Sequence, residues 1–228
     1  MQTPLREYQR QAFDKADVHS TLVVLPTGAG KTLIAAAAAA TAVARSGMPV
    51  LFLAPTVLIV RQQAPALHAE TGLRTYAFYG ERRPPSRSEF DVLVATPAAF
   101  SALSEREAAS FGPQAFSLLV FDEVHHVVKK HPYRTIALAL QRMPSETRPR
   151  VLGLSASLTY AVGDGVLLRS SCVLYVLLTA TSAALGARAL CTWRGSEKPH
   201  KKYRVRRSRT LAAVSPLAGW VQRASRAR

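Results

Sequence analysis

Short apolar runs rich in β-formers recur along the first two-thirds of the chain: Thr21 to Leu25, Val50 to Ala54, Thr75 to Tyr79, Asp91 to Ala95, Leu118 to Phe121 and Val151 to Leu154. Each is near-continuously hydrophobic rather than alternating, the pattern of strands covered on both faces. Helix-forming stretches lie between most of them. The clearest is Lys31 to Arg45, whose six alanines from Ala35 to Ala40 carry the highest helix propensity although the amphipathic pattern is poor. Alternating strands and helices predict an α/β fold with a mostly parallel, three-layer sheet. Ligands of such sheets sit outside the carboxyl ends of the strands. After residue 158 the alternation blurs, and an organisational boundary is expected near Thr159.

Charge changes at the same place. The 228-residue chain is 48% hydrophobic and carries +16, enough apolar material for a packed core and a balance that favours a polyanionic partner. Residues 1–158 hold 17 basic and 12 acidic side chains, whereas 159–228 hold 13 and 2. The net charge is thus +5 before the boundary and +11 after it. The tail contains an uncharged run of 18 residues, 170–187, but its five Ser and Thr argue against a membrane span. Between Lys198 and Arg209 seven of twelve residues are basic, readable as a localisation signal, a nucleic-acid arm or a solvated tail. No apolar h-region precedes Thr21, and two cysteines build neither a disulfide framework nor a four-ligand zinc site. The expected location is intracellular, cytoplasmic or nuclear.

The chemistry begins where the first strand ends, at Leu25-Pro26-Thr27-Gly28-Ala29-Gly30-Lys31-Thr32. Two glycines let the backbone curl so that its N–H groups face phosphate oxygens, and the following helix adds its positive end. Lys31 suits terminal phosphates and the Thr32 hydroxyl suits Mg²⁺. The strict phosphate-loop pattern fails at its first position, where Leu25 replaces glycine. A later strand ends in Asp122-Glu123-Val124-His125-His126. Asp122 is a candidate Mg²⁺ ligand, and Glu123 a candidate base for the attacking water. The plainer alternative is a solvated cap on the next helix.

These residues, with others in the same order, resemble the first RecA-like domain of superfamily 2 helicases of the DExH type, and within that group the Dicer-like and Hef-like helicase domains. Pro26 to Thr32 is similar to the family's PTGxGKT form, which accounts for Leu25. Leu5-Arg6-Glu7-Tyr8-Gln9 resembles its adenine-reading motif, with Gln9 the implied base contact. Pro55 to Gln63 and Ala95-Thr96-Pro97 resemble two motifs that face the nucleic-acid backbone, which implicates Thr56, Gln62 and Thr96. Asp122 to His125 reads DEVH, followed by His131-Pro132-Tyr133, and Ser155-Ala156-Ser157 resembles the third motif. The resemblance implies ATP and Mg²⁺ as cofactors, with Gln9, Thr27, Gly28, Ala29, Gly30, Lys31 and Thr32 around the nucleotide. It also implies that His125, Ser155 and Ser157 couple hydrolysis to RNA or DNA.

No zinc is implied. Thr56 and Thr96 also read as ordinary strand-end caps, and Arg82 to Arg87 as a solvated loop. No second-lobe motif follows residue 157, and 70 residues are too few for that lobe. The expectation is a helicase-type ATPase, weak alone; the alternative is a fragment that binds ATP and nucleic acid without efficient turnover.

Overall fold

The computed structural model describes residues 1–124 and 132–156 together with a strand at 189–192. The thirteen elements that frame the site run α1 (Glu7–Ala16), β1 (Thr21–Val24), α2 (Lys31–Ser46), β2 (Val50–Leu53), α3 (Val57–Thr71), β3 (Thr75–Phe78), β4 (Val92–Ala95), α4 (Pro97–Arg106), α5 (Ala108–Phe111), β5 (Leu118–Phe121), α6 (Pro132–Arg142), β6 (Arg150–Ser155) and β7 (Ala189–Thr192). All six runs read as strands are strands, with no end shifted by more than one residue.

The strands form one sheet in the order β3-β4-β2-β5-β6-β1-β7, and every pairing is parallel. β7 lies beyond residue 158, in the stretch read from the sequence as an unassignable basic tail, and pairs alongside β1. The boundary at Thr159, the apolar run 170–187 and the basic cluster 198–209 lie outside the described residues. Among the described residues, no helix is long and apolar enough to cross a membrane.

Side chains leave each strand alternately for two cores. Val50, Phe52, Leu118 and Val120 join α1, α2 and α3 on one face. Leu51, Leu53, Leu119 and Phe121 join α4, α5 and α6 on the other. Helices therefore cover both faces, as the unbroken apolar runs require.

The alanine run explains itself here. Ile34, Ala35 to Ala39 and Ala42 are all buried, so α2 is enclosed on most of its circumference, between the sheet and its neighbours α1 and α3. Small side chains let three layers of backbone approach closely, and an amphipathic stripe would leave one side unfilled. Leucine at Ala36, which is fully buried, is expected to overpack this layer and lower stability by about 1–3 kcal/mol. Ala40→Leu, at a half-buried position, should change little. Urea unfolding of the two variants distinguishes them; equal stability would show that α2 is not tightly enclosed.

Candidate nucleotide site

Parallel pairing delivers every strand tip to one edge. Gly153 pairs with Phe121 and Ser155 with Val24, so β6 and β1 project two residues beyond the end of β5. The residue after β5, Asp122, therefore faces the last residues of β6. β1 and β5 are separated only by β6, which sets their tips about 10 Å apart. A phosphate group with its cation spans such a gap.

The loop after β1 is held from outside. Gly28 and Gly30 adopt φ of 79° and 74°, in the left-handed region that glycine tolerates without steric cost. At Gly30 space matters as well, since a Cβ there would lie 2.3 Å from Gln9 Nε2. Two side chains of α1 donate to the Ala29 carbonyl, Tyr8 through its hydroxyl and Gln9 through Nε2, each at 2.9 Å. Gln9 Oε1 also accepts from the Arg6 N–H. The Gln9 side chain is buried, and these contacts make it a strut for the loop, a role the motif resemblance did not indicate. Tyr8 shares that role. Its signal in the sequence was only that it neighbours Gln9.

Lys31, at the first turn of α2, folds back so that Nζ donates to Leu25 O at 3.0 Å and Pro26 O at 3.4 Å. Its charge is felt by Asp122, whose carboxyl is nevertheless pushed up to about 6. Burial is the main cause and repulsion from Glu123 the second; the Glu123 N–H and the Lys31 ammonium act in the opposite direction. Glu123 N–H donates to Asp122 Oδ1 at 3.0 Å. Glu123 is half-buried at φ 47°, a left-handed backbone that a non-glycine residue adopts at a cost of about 1–2 kcal/mol. Ser155 is fully buried, and its carbonyl accepts from Leu25 N–H at 3.1 Å, tying β6 to the loop entrance.

Oxygen donors of this kind fit Mg²⁺. It is a hard cation that favours carboxylates, hydroxyls and phosphate oxygens, and a carboxylate raised by burial beside a second acid is relieved by a cation. Asp122 and the Thr32 hydroxyl would hold it.

The remaining expected residues lie on the other half of the edge. Thr56 follows β2 and caps α3, its Oγ1 accepting from Ile59 N–H at 3.3 Å; Thr96 follows β4 at the cap position of α4 without such a bond. Along the edge the order is Thr96, Thr56, Asp122, Ser155, phosphate loop. Gln62 is exposed on α3, roughly a turn and a half beyond the Thr56 cap. His125 and Ser157 lie outside the described residues, as do His126 and His131.

The cost of an ionised Asp122 can be measured without ligand. Its folded value lies above that of an unfolded Asp, near 4, so its contribution favours folding at low pH and is lost as pH rises through about 6. Asp122→Asn keeps an acceptor for the Glu123 N–H and removes the charge. It is expected to be more stable than the parent near neutral pH by about 1–3 kcal/mol, at about 1.4 kcal/mol per pH unit of separation, with the advantage vanishing toward pH ~4. A variant less stable than the parent at every pH would contradict the burial of this charge.

Known proteins are similar to this chain in sequence and in fold. The family described as type III restriction enzyme, res subunit, matches residues 2–159. Dicer-like protein 1 of Aspergillus terreus is 34% identical over 178 residues, covering 70% of this chain and 12% of that protein. Endoribonuclease Dicer homolog 2b of Oryza sativa is 35% identical over 178 residues, covering 70% and 13%. The chain thus spans about an eighth of the length of these relatives. The crystal structure of the Pyrococcus furiosus Hef helicase domain superposes with a TM-score of 0.62 at 32% identity, covering 75% of this chain and 37% of that one. The resemblance drawn from the motifs is borne out, and domains of this family generally use ATP with Mg²⁺. The chain belongs to the type III restriction enzyme res-subunit family, and its fold is that of the RecA-like ATP-binding domains of superfamily 2 helicases.

Proposed function

We propose that this domain binds ATP with Mg²⁺, hydrolyses it, and holds the backbone of RNA or DNA on the other half of the same edge. One observation carries the reading: the Gly28–Thr32 loop, braced by Tyr8 and Gln9, and the Asp122–Glu123 pair face one another across a single strand. Loop N–H groups and Lys31 would bind the phosphates, while Gln9 supports the loop next to the base. Thr32 and Asp122 would hold Mg²⁺, which when bound neutralises charge on the phosphates. Glu123 would orient the attacking water and take its proton. Ser155, at the tip of β6 between the two sites, is suited to link them, and we assign His125 and Ser157 to the same role.

Thr56 and Thr96 are suited to phosphate oxygens, which position a strand without reading its sequence. Gln62 belongs with them on the backbone-facing motif. The net charge of +16 supplies long-range attraction.

Glu123→Gln tests the chemistry. It should leave Mg·ATP affinity within about threefold while hydrolysis falls ~10²–10⁴-fold, the usual contribution of a general base. An unchanged rate would place the base elsewhere. Binding to RNA or DNA should be independent of sequence and weaken with salt, with a log–log slope of about −0.9 per neutralised phosphate on duplex DNA and about −0.7 on single strands. Affinity that is insensitive to salt would contradict backbone recognition.

A further inference from the structure

Tyr133 lies on α6, outside every motif that touches the nucleotide in the reading above, and its side chain is fully buried. Its ring meets Phe121 edge-on, with centroids 5.3 Å apart. Its hydroxyl lies 2.9 Å from Leu53 O, at the tip of β2, and 2.8 Å from Asp122 O, just beyond the tip of β5. The single proton is donated between these two carbonyls. Leu53 O also accepts from Asp122 N–H at 2.9 Å, so the hydroxyl completes a knot between the two strand ends.

The second carbonyl matters more than the first. Asp122 O belongs to the peptide that joins Asp122 to Glu123, and among the described residues no peptide bond is cis. In a planar trans peptide the C=O and N–H point in opposite directions. With the oxygen held by Tyr133, the Glu123 N–H must point away, and it meets Asp122 Oδ1. The same orientation accompanies the left-handed φ of Glu123. Such a conformation persists only where the surroundings impose it. A buried hydroxyl on a neighbouring helix supplies that constraint.

We infer that Tyr133 is a positioning residue: by gripping the Asp122–Glu123 peptide it sets the direction in which the Glu123 carboxylate leaves the backbone. The inference rests on the proposed role of Glu123. It adds a structural claim that stands without any ligand. Tyr133→Phe removes the grip and keeps the ring. Two buried carbonyls lose a donor, and the peptide is free to turn toward a right-handed Glu123.

The test has an unliganded and a liganded arm, both on the full chain. In the first, the ¹³Cα and ¹³Cβ chemical shifts of Glu123, which follow backbone conformation, should move in Tyr133→Phe from left-handed toward right-handed values. In the second, Mg·ATP affinity should stay within about threefold while turnover falls about 10–100-fold, the scale of a misplaced catalytic group. Phe121→Leu serves as control, since it loosens the same packing and leaves the hydroxyl; its Glu123 shifts should hold. Unmoved Glu123 shifts in Tyr133→Phe, or an equal change in the control, would overturn the inference. Should Tyr133→Phe not fold, 3-fluorotyrosine at 133, a stronger donor within the same packing, tests the same bond: the ¹³C shift of the Asp122 carbonyl, which follows hydrogen-bond strength, should move, and an unmoved carbonyl shift would be equally decisive. A parent chain that neither binds nor turns over Mg·ATP would overturn the proposed function instead, while the unliganded arm would still decide the role of Tyr133.

Discussion

The parallel hydrogen-bonded register is the constraint on which everything else depends. Because all seven strands run the same way, residues far apart in the chain are brought to one edge: the loop at 25–32, the acidic pair at 122–123 and Ser155. Parallel strands require crossover helices, and the helices bury both sheet faces. Function is thereby confined to the rim. The rim is also where backbone groups lose their sheet partners, so it is the natural place for loops that present N–H groups to anions.

At that rim the protein opposes its own stability. One left-handed glutamate and a desolvated aspartate are each less favourable than a plain strand-to-helix turn, and a glycine-containing loop costs conformational entropy to order. They persist because buried groups hold them: Tyr8 and Gln9 on the Ala29 carbonyl, Tyr133 on the Asp122 carbonyl. The two braces have the same design, in which a side chain from a covering helix reaches the backbone of a functional loop. One comes from the helices on one face and the other from the opposite face, so both cores contribute to the geometry of the site.

Much of this was legible in the residues. Six apolar runs marked six strands, because a doubly covered strand needs no alternation and therefore stands out. The GxGKT loop and the acidic pair were legible because each chemistry restricts residue type and spacing. The braces were harder to read. Resemblance points Gln9 to a base; its bond from Arg6 N–H is a local capping-box contact three residues back, whereas its bond to Ala29 follows from a three-dimensional approach that no local pattern encodes. In the sequence Tyr133 stands out only as part of His131-Pro132-Tyr133; that its hydroxyl reaches the tips of two other elements depends on how α6 packs. β7 has no strand signal of its own, because Ala189 to Thr192 is short and sits among basic residues; its strand character comes from pairing with β1.

The central claim is that the loop after β1 and the acidic pair form one site for ATP with Mg²⁺. Calorimetric titration of Mg·ATP into the chain and into Lys31→Ala tests it most directly, with circular dichroism to establish that both are folded. The account predicts saturable, Mg²⁺-dependent binding to the parent and its loss in the variant with secondary structure unchanged. Equal affinity in the two proteins would contradict it.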